Sequence, residues 1–212
     1  MKGAGAPRIE TLSIAGPAGT LEAVLRAPAG EATRSALLCH PHPLYGGSLH
    51  NPVVFRAARA LHRLGFATLR FNFRGVGRSA GAFDSGKGER EDARAALAAR
   101  LPGLPVTLLG YSFGAWVGFE AAAADPRVAD LIGIGMPLAL WSFDSLKRID
   151  KPILVVQGSE DAFGPLPAVS RLVAEIGPRA RLAVLRGAGH SFEGELGKLE
   201  ETLVAEIARS SA

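Results

Sequence analysis

Val106-Thr107-Leu108-Leu109-Gly110-Tyr111-Ser112-Phe113-Gly114-Ala115-Trp116 is an apolar β-run that stops on a serine between two glycines and continues as helix-forming residues. A strand that feeds straight into a helix must reverse sharply. The reversal drives Ser112 toward unfavourable backbone angles and lifts its Oγ clear of its neighbours, the setting in which the serine of a G-x-S-x-G turn acts as a nucleophile. Gly110 and Gly114 remove the Cβ atoms that would obstruct close approach of strand and helix. Phe113 then offers a backbone N–H at a helix N-terminus, where it and the helix dipole can hold a negative oxygen developing beside Ser112. The leucine-rich run before the turn and the helix formers from Ala115 to Ala124 after it supply a context that a chance serine between glycines lacks.

Outward from this turn, apolar β-runs alternate with amphipathic segments along most of the chain. Strands are expected at Ala36–Cys39, Ala67–Phe71, Val106–Leu109, Leu131–Ile134, Ile153–Gln157 and Arg181–Leu185. Helices are expected between and after them, at Pro52–Leu64, Gly88–Arg100, Phe113–Ala124, Leu166–Ile176 and Leu196–Arg209. That alternation is the signature of an α/β fold, a mostly parallel sheet covered by helices on both faces. Upstream, Ile9–Ile14 and Thr20–Ala27 alternate apolar and polar residues around Ala15-Gly16-Pro17-Ala18-Gly19, which predicts a hairpin at one sheet edge. Gly65, Asp125-Pro126 and Gly177-Pro178 punctuate helix ends. With 212 residues, 48% of them hydrophobic, the chain can bury one sizeable core, so a single domain over 1–212 is expected. The connection from Gly135 to Lys151 is too short for a substantial lid.

Charge narrows the partners. The formal charge is +4 and the pI is near 9.6, but the arginines are scattered among acids, as in Glu89-Arg90-Glu91-Asp92-Ala93-Arg94, with no dense basic block. Nucleic-acid binding is not indicated. The single cysteine, Cys39, excludes an internal disulfide, fits a reducing compartment and lies in an apolar run that suits core packing. Met1 to Arg8 contains no apolar leader segment, and no stretch reaches the roughly 18 apolar residues of a membrane span, so no membrane association and a cytoplasmic location are expected. A homodimer built on an edge strand or helix is compatible with the sequence.

In an open parallel sheet the loops after the strands converge on one edge and build the site. His40-Pro41-His42-Pro43-Leu44-Tyr45 follows one strand, Asn72-Phe73-Arg74-Gly75-Val76-Gly77-Arg78-Ser79 the next, and Ser112 a third. Gly158-Ser159-Glu160-Asp161 and Gly187-Ala188-Gly189-His190 follow the last two. Serine is a weak nucleophile at its free pKa, so His190 is the expected acceptor of the Oγ proton and Asp161 the group that orients the imidazole. The chain order Ser, Asp, His is the order found with this turn.

These residues make the chain resemble the α/β-hydrolase family, in particular its small, capless bacterial branch with an HPHP-type loop, here His40 to Pro43, followed by an N-F-R-G-V-G-x-S segment, here Asn72 to Ser79. The likeness extends over nearly the whole chain. It implies an α/β-hydrolase fold with eight strands, the second antiparallel, and hydrolysis of a small carboxylic ester through an acyl-enzyme on Ser112, without a cofactor. The family usually has His-Gly after its third strand; here Pro41 replaces the glycine. The matching second oxyanion donor is then the N–H of His42, beside that of Phe113, with Leu44 as the fallback. Thioester or amide hydrolysis, acyl transfer on the same scaffold, and a catalytically silent binding protein are the alternatives.

Several residues carry competing assignments. His40 and His42, with His50 nearby, have a spacing that can serve a metal, but no cysteine or Asp-x-His ligand accompanies them, and no metal is expected. His62, within an amphipathic segment, is expected at the surface. Asp144 is the rival triad acid, but Asp161 directly follows a strand. Arg74 is placed either on an acidic group of the substrate or in a structural salt bridge. Tyr45, Tyr111 and Met136 are expected to contact substrate, and with Phe73, Phe113, Trp141 and Phe163 to line an apolar acyl pocket.

Overall fold

The computed structural model describes residues 6–99, 101 and 103–210. Its strands are β1 (Arg8–Gly16), β2 (Gly19–Ala27), β3 (Arg34–Cys39), β4 (Phe66–Phe71), β5 (Val106–Tyr111), β6 (Val128–Ile134), β7 (Ile153–Gly158) and β8 (Ala180–Leu185). They form one sheet in the order β1-β2-β4-β3-β5-β6-β7-β8. β2 runs antiparallel to both its neighbours, and every other pair is parallel. The helices are α1 (Pro52–Arg63), α2 (Lys87–Ala98), α3 (Phe113–Ala122), α4 (Leu166–Ile176) and α5 (Leu196–Ser210). This is the α/β-hydrolase architecture that the family resemblance implies, with eight strands and the second antiparallel.

Successive side chains of a strand point to opposite faces, so the interior apolar runs feed two cores. In β5, Val106 and Leu108 enter one and Leu109 and Tyr111 the other. The first core is closed by α2, α3 and α4, the second by α1 and α5. α1 buries Val53, Val54, Ala57 and Leu61 as a helical stripe, and its start is fixed by Asn51, whose side chain accepts the N–H of Val53 at 3.0 Å. α3 is apolar around most of its circumference and correspondingly buried, with Val117 and Phe119 under the sheet. Cys39 lies fully inside the first core, where burial pushes its thiol pKa well up and keeps it protonated.

The departures from the predicted elements have local causes. The hairpin loop shrinks to Pro17-Ala18 because Gly16 pairs directly with Gly19. β6 starts three residues early, at Val128, where it pairs with Val106 across a register shift. α2 ends at Ala98; the predicted end, Arg100, lies outside the described residues. His62 is half-buried rather than on the surface. Its Nε2 lies 3.1 Å from Thr68 Oγ1, and desolvation, with Arg26 nearby, lowers its pKa to about 4. In the connection after β6, the only regular segment among the described residues is the short helical turn Asp144–Arg148.

Candidate active site

The parallel strands deliver their C-terminal loops to one edge, and Ser112 stands at its centre. Its φ of 56° and ψ of −120° place a non-glycine residue in the positive-φ half of the backbone map, a strain of about 1–3 kcal/mol. The elbow is held by its own backbone: Ser112 N–H donates to Ile134 O at 3.0 Å, and Ser112 O accepts Ala115 N–H at 3.0 Å. The two glycines relieve different contacts. A Cβ on Gly110 would fall 2.3 Å from Ala115 Cα, inside the elbow, as predicted. A Cβ on Gly114 would fall 2.3 Å from Cys39 O and 2.6 Å from His40 O. Gly114 therefore admits the end of β3 and the loop beyond it, a neighbour that the sequence alone did not identify.

His190 closes onto the serine, with Nε2 2.9 Å from Ser112 Oγ and Nδ1 2.8 Å from Asp161 Oδ2. The Asp161 side chain is completely buried. Its Oδ1 accepts N–H groups from Phe163 at 2.9 Å and Gly164 at 3.0 Å, and its Oδ2 also accepts the Gln157 amide at 2.7 Å. An ionised carboxylate only accepts, so Nδ1 carries the hydrogen and Nε2 turns its lone pair to the serine hydroxyl. Asp144 does not compete for this place: it is exposed and tied to Lys147 and Ser142. Glu160 is likewise exposed.

The loop after β3 is braced by His40, which is fully buried. Its Nδ1–H donates to Pro41 O at 2.6 Å and its Nε2 accepts Phe73 N–H at 3.0 Å, while desolvation lowers its pKa to about 4 and holds it neutral. Both nitrogens are spent on protein partners, so the metal alternative loses its first ligand. His42 Nδ1 accepts Leu44 N–H at 3.2 Å, which occupies the fallback oxyanion donor. The backbone N–H groups of His42 and Phe113, by contrast, have no acceptor among the described residues. The two rings of these residues lie 5.0 Å apart, so the loop and the start of α3 are in contact at this point.

Of the predicted substrate contacts, Tyr45 alone is freely presented, 86% exposed beside His42. Three need correction. Arg74 donates through Nε and Nη2 to the buried carboxylate of Asp92 at 3.0 and 2.8 Å, the structural alternative, so its guanidinium is not aimed at a substrate. Met136 is fully buried and its sulfur packs over Gly133, because the chain turns inward after β6. Tyr111 is also buried; its hydroxyl donates to His190 O at 3.0 Å and supports the histidine loop instead of lining a pocket.

Gln157 was missed. Fully buried at the end of β7, it donates to Asp161 Oδ2 and to Gly164 O at 2.9 Å and accepts Met136 N–H at 2.9 Å. The signal was present: a lone amide ends the otherwise apolar run Ile153-Leu154-Val155-Val156-Gln157 immediately before the acid loop.

A family model described as an alpha/beta hydrolase domain matches residues 36–212. The chain belongs to the alpha/beta hydrolase family. Among solved structures, an alpha-beta serine hydrolase homologue from Coxiella burnetii is 40% identical, with 93% of this chain and 97% of that one covered and a TM-score of 0.87. XC6422 from Xanthomonas campestris, described as an a/b serine hydrolase without lid, is 36% identical over 95% of this chain and 94% of its own, with a TM-score of 0.86. An uncharacterized protein of Rickettsia prowazekii, RP471, is 33% identical, with 84% of this alpha/beta hydrolase and 79% of the relative covered. No helix among the described residues of this alpha/beta hydrolase is long and apolar enough to cross a membrane.

Proposed function

We propose that this alpha/beta hydrolase cleaves small carboxylic esters through an acyl-enzyme on Ser112. The observation that carries the reading is the continuous hydrogen-bond line from Ser112 Oγ through His190 to the buried Asp161, with steps of 2.9 and 2.8 Å. As Oγ attacks the ester carbonyl, its proton passes to His190 Nε2, and Asp161 stabilises the imidazolium. The carbonyl oxygen becomes an oxyanion beside Phe113 N–H, at the positive end of α3, and His42 N–H. His190 then protonates the departing alkoxide. Water, deprotonated by the same nitrogen, attacks the acyl-enzyme and restores the serine.

The strain at Ser112 supports catalysis over a silent binding role, since a binding protein gains nothing from a serine held there. Thioester or amide cleavage and acyl transfer to an alcohol would use the same acyl-enzyme, and a panel of leaving groups with acceptor alcohols separates them. Hydrolysis of p-nitrophenyl acetate and butyrate is the direct test. Ser112→Ala is expected to lower the rate about 10⁴-fold or more. An alanine variant that hydrolyses both esters at the wild-type rate would overturn the proposal.

A further inference from the structure

Two separate groups of rings lie near Ser112, one around His190, which meets its Oγ, and one around Phe113, the next residue. In the first, Phe163, 47% exposed, meets the His190 ring edge-on at 4.9 Å. In the second, the His42 ring lies 4.7 Å from Phe83 and 5.0 Å from Phe113, and faces Trp141 at 6.1 Å with an interplanar angle of 14°. Trp141 stacks on Trp116 at 5.0 Å and 10°, and the Arg90 guanidinium covers Trp116 at 4.4 Å. Among the described residues, no ring of the first group contacts a ring of the second. Both tryptophans of the chain thus stand in one wall beside the nucleophile. Phe83, Trp116, Trp141 and His42 are only partly buried, so the wall faces outward as well as inward.

The chemistry assigns a different half of the substrate to each side; this step rests on the acyl-hydrolysis reading above. His190 must hand its proton to the leaving oxygen, so the alcohol half lies on the side of His190 and Phe163. The carbonyl oxygen sits against the His42 and Phe113 N–H groups, so at the tetrahedral carbon the acyl substituent takes the remaining direction, away from His190, where the rings of His42 and Trp141 offer an apolar surface to receive it. We propose that the acyl group carries an aromatic ring that stacks on this wall. A long alkyl chain laid on an open wall would lose its rotational freedom while water still wetted its outer side. A flat ring has little such freedom to lose and gains the stacking term in addition to burial.

The test compares methyl 3-phenylpropanoate with methyl 3-cyclohexylpropanoate and methyl nonanoate, whose acyl groups have equal carbon counts and whose alcohol is identical. The expected kcat/KM favours the phenyl ester over the cyclohexyl ester by about five-fold, the equivalent of about 1 kcal/mol. In Trp141→Leu that ratio should fall towards one, whereas Phe163→Leu should leave it unchanged. Because the tryptophans form the wall, intrinsic fluorescence reports occupancy independently of turnover. Ser112→Ala protein should be quenched by the phenyl ester at lower concentration than by the cyclohexyl ester. Turnover with a phenyl-to-cyclohexyl ratio of one overturns the aromatic wall and leaves ester hydrolysis standing. Selective quenching by the phenyl ester without turnover of any ester overturns the hydrolysis and leaves the wall. Neither turnover nor quenching overturns both.

Discussion

Gln157→Met should lower both stability and catalytic efficiency, and the two effects have separable origins. Methionine keeps the length of the side chain but removes both hydrogen-bonding ends. Met136 N–H and Gly164 O, each held by Gln157 at 2.9 Å, are left buried without a partner. At about 1–3 kcal/mol apiece, they predict a stability loss of about 2–6 kcal/mol in urea denaturation. Asp161 Oδ2 loses its 2.7 Å amide donor but retains His190, while Oδ1 retains Phe163 and Gly164 N–H. A hydrogen bond to a charged acceptor contributes about 1.5–3 kcal/mol. With that donor gone, the carboxylate that orients the His190 ring is held by one partner fewer, so kcat/KM on p-nitrophenyl acetate should fall about ten-fold or more. Loss of stability with an unchanged kcat/KM would reduce Gln157 to packing.

Other substitutions probe the remaining supports. Gly114→Ala drives a methyl against Cys39 O and His40 O; it should cost about 1–3 kcal/mol and lower kcat about 10²-fold by displacing the loop bearing His42, as thermal melts and steady-state kinetics would report. Arg74→Met leaves the buried Asp92 carboxylate without its guanidinium partner, though still with the backbone N–H of residue 74, and should cost about 3 kcal/mol, while kcat/KM for anionic and neutral esters changes by the same factor; a selective loss on anionic esters would return Arg74 to the substrate. His40, with its pKa lowered to about 4 from an ordinary 6.5, stabilises the fold fully above pH 6.5 and loses that contribution as pH falls towards 4. Between pH 7.5 and 4.5, wild type should therefore lose about 2–3 kcal/mol more in urea unfolding than His40→Gln, and equal losses would contradict the buried neutral imidazole.

The sheet was legible because its interior strands are buried on both faces and read as continuous apolar runs, as in Val106–Leu109 and Ile153–Val156. The elbow was legible because Gly110, Ser112 and Gly114 answer a local steric demand. What escaped depends on which element lies beside which. Arg74 and Asp92 are 18 residues apart, and only the packing of α2 beneath the loop after β4 brings them together. The brace that His40 forms could not be read, because sequence spacing says nothing about Phe73 N–H, which arrives from the loop after another strand. Met136 and Tyr111 follow or end strands that point at the site, yet the backbone turns their side chains inward. Asp161 and His190 lie close behind parallel strands, and the shared C-terminal edge of those strands brings their loops side by side.

If Ser112 is a nucleophile activated by His190, incubation with a fluorophosphonate followed by peptide mass spectrometry will find a single phosphonyl adduct on Ser112, formed much more slowly in His190→Ala. Folded wild-type protein that remains unlabelled, or an adduct on another residue, would show that it is not.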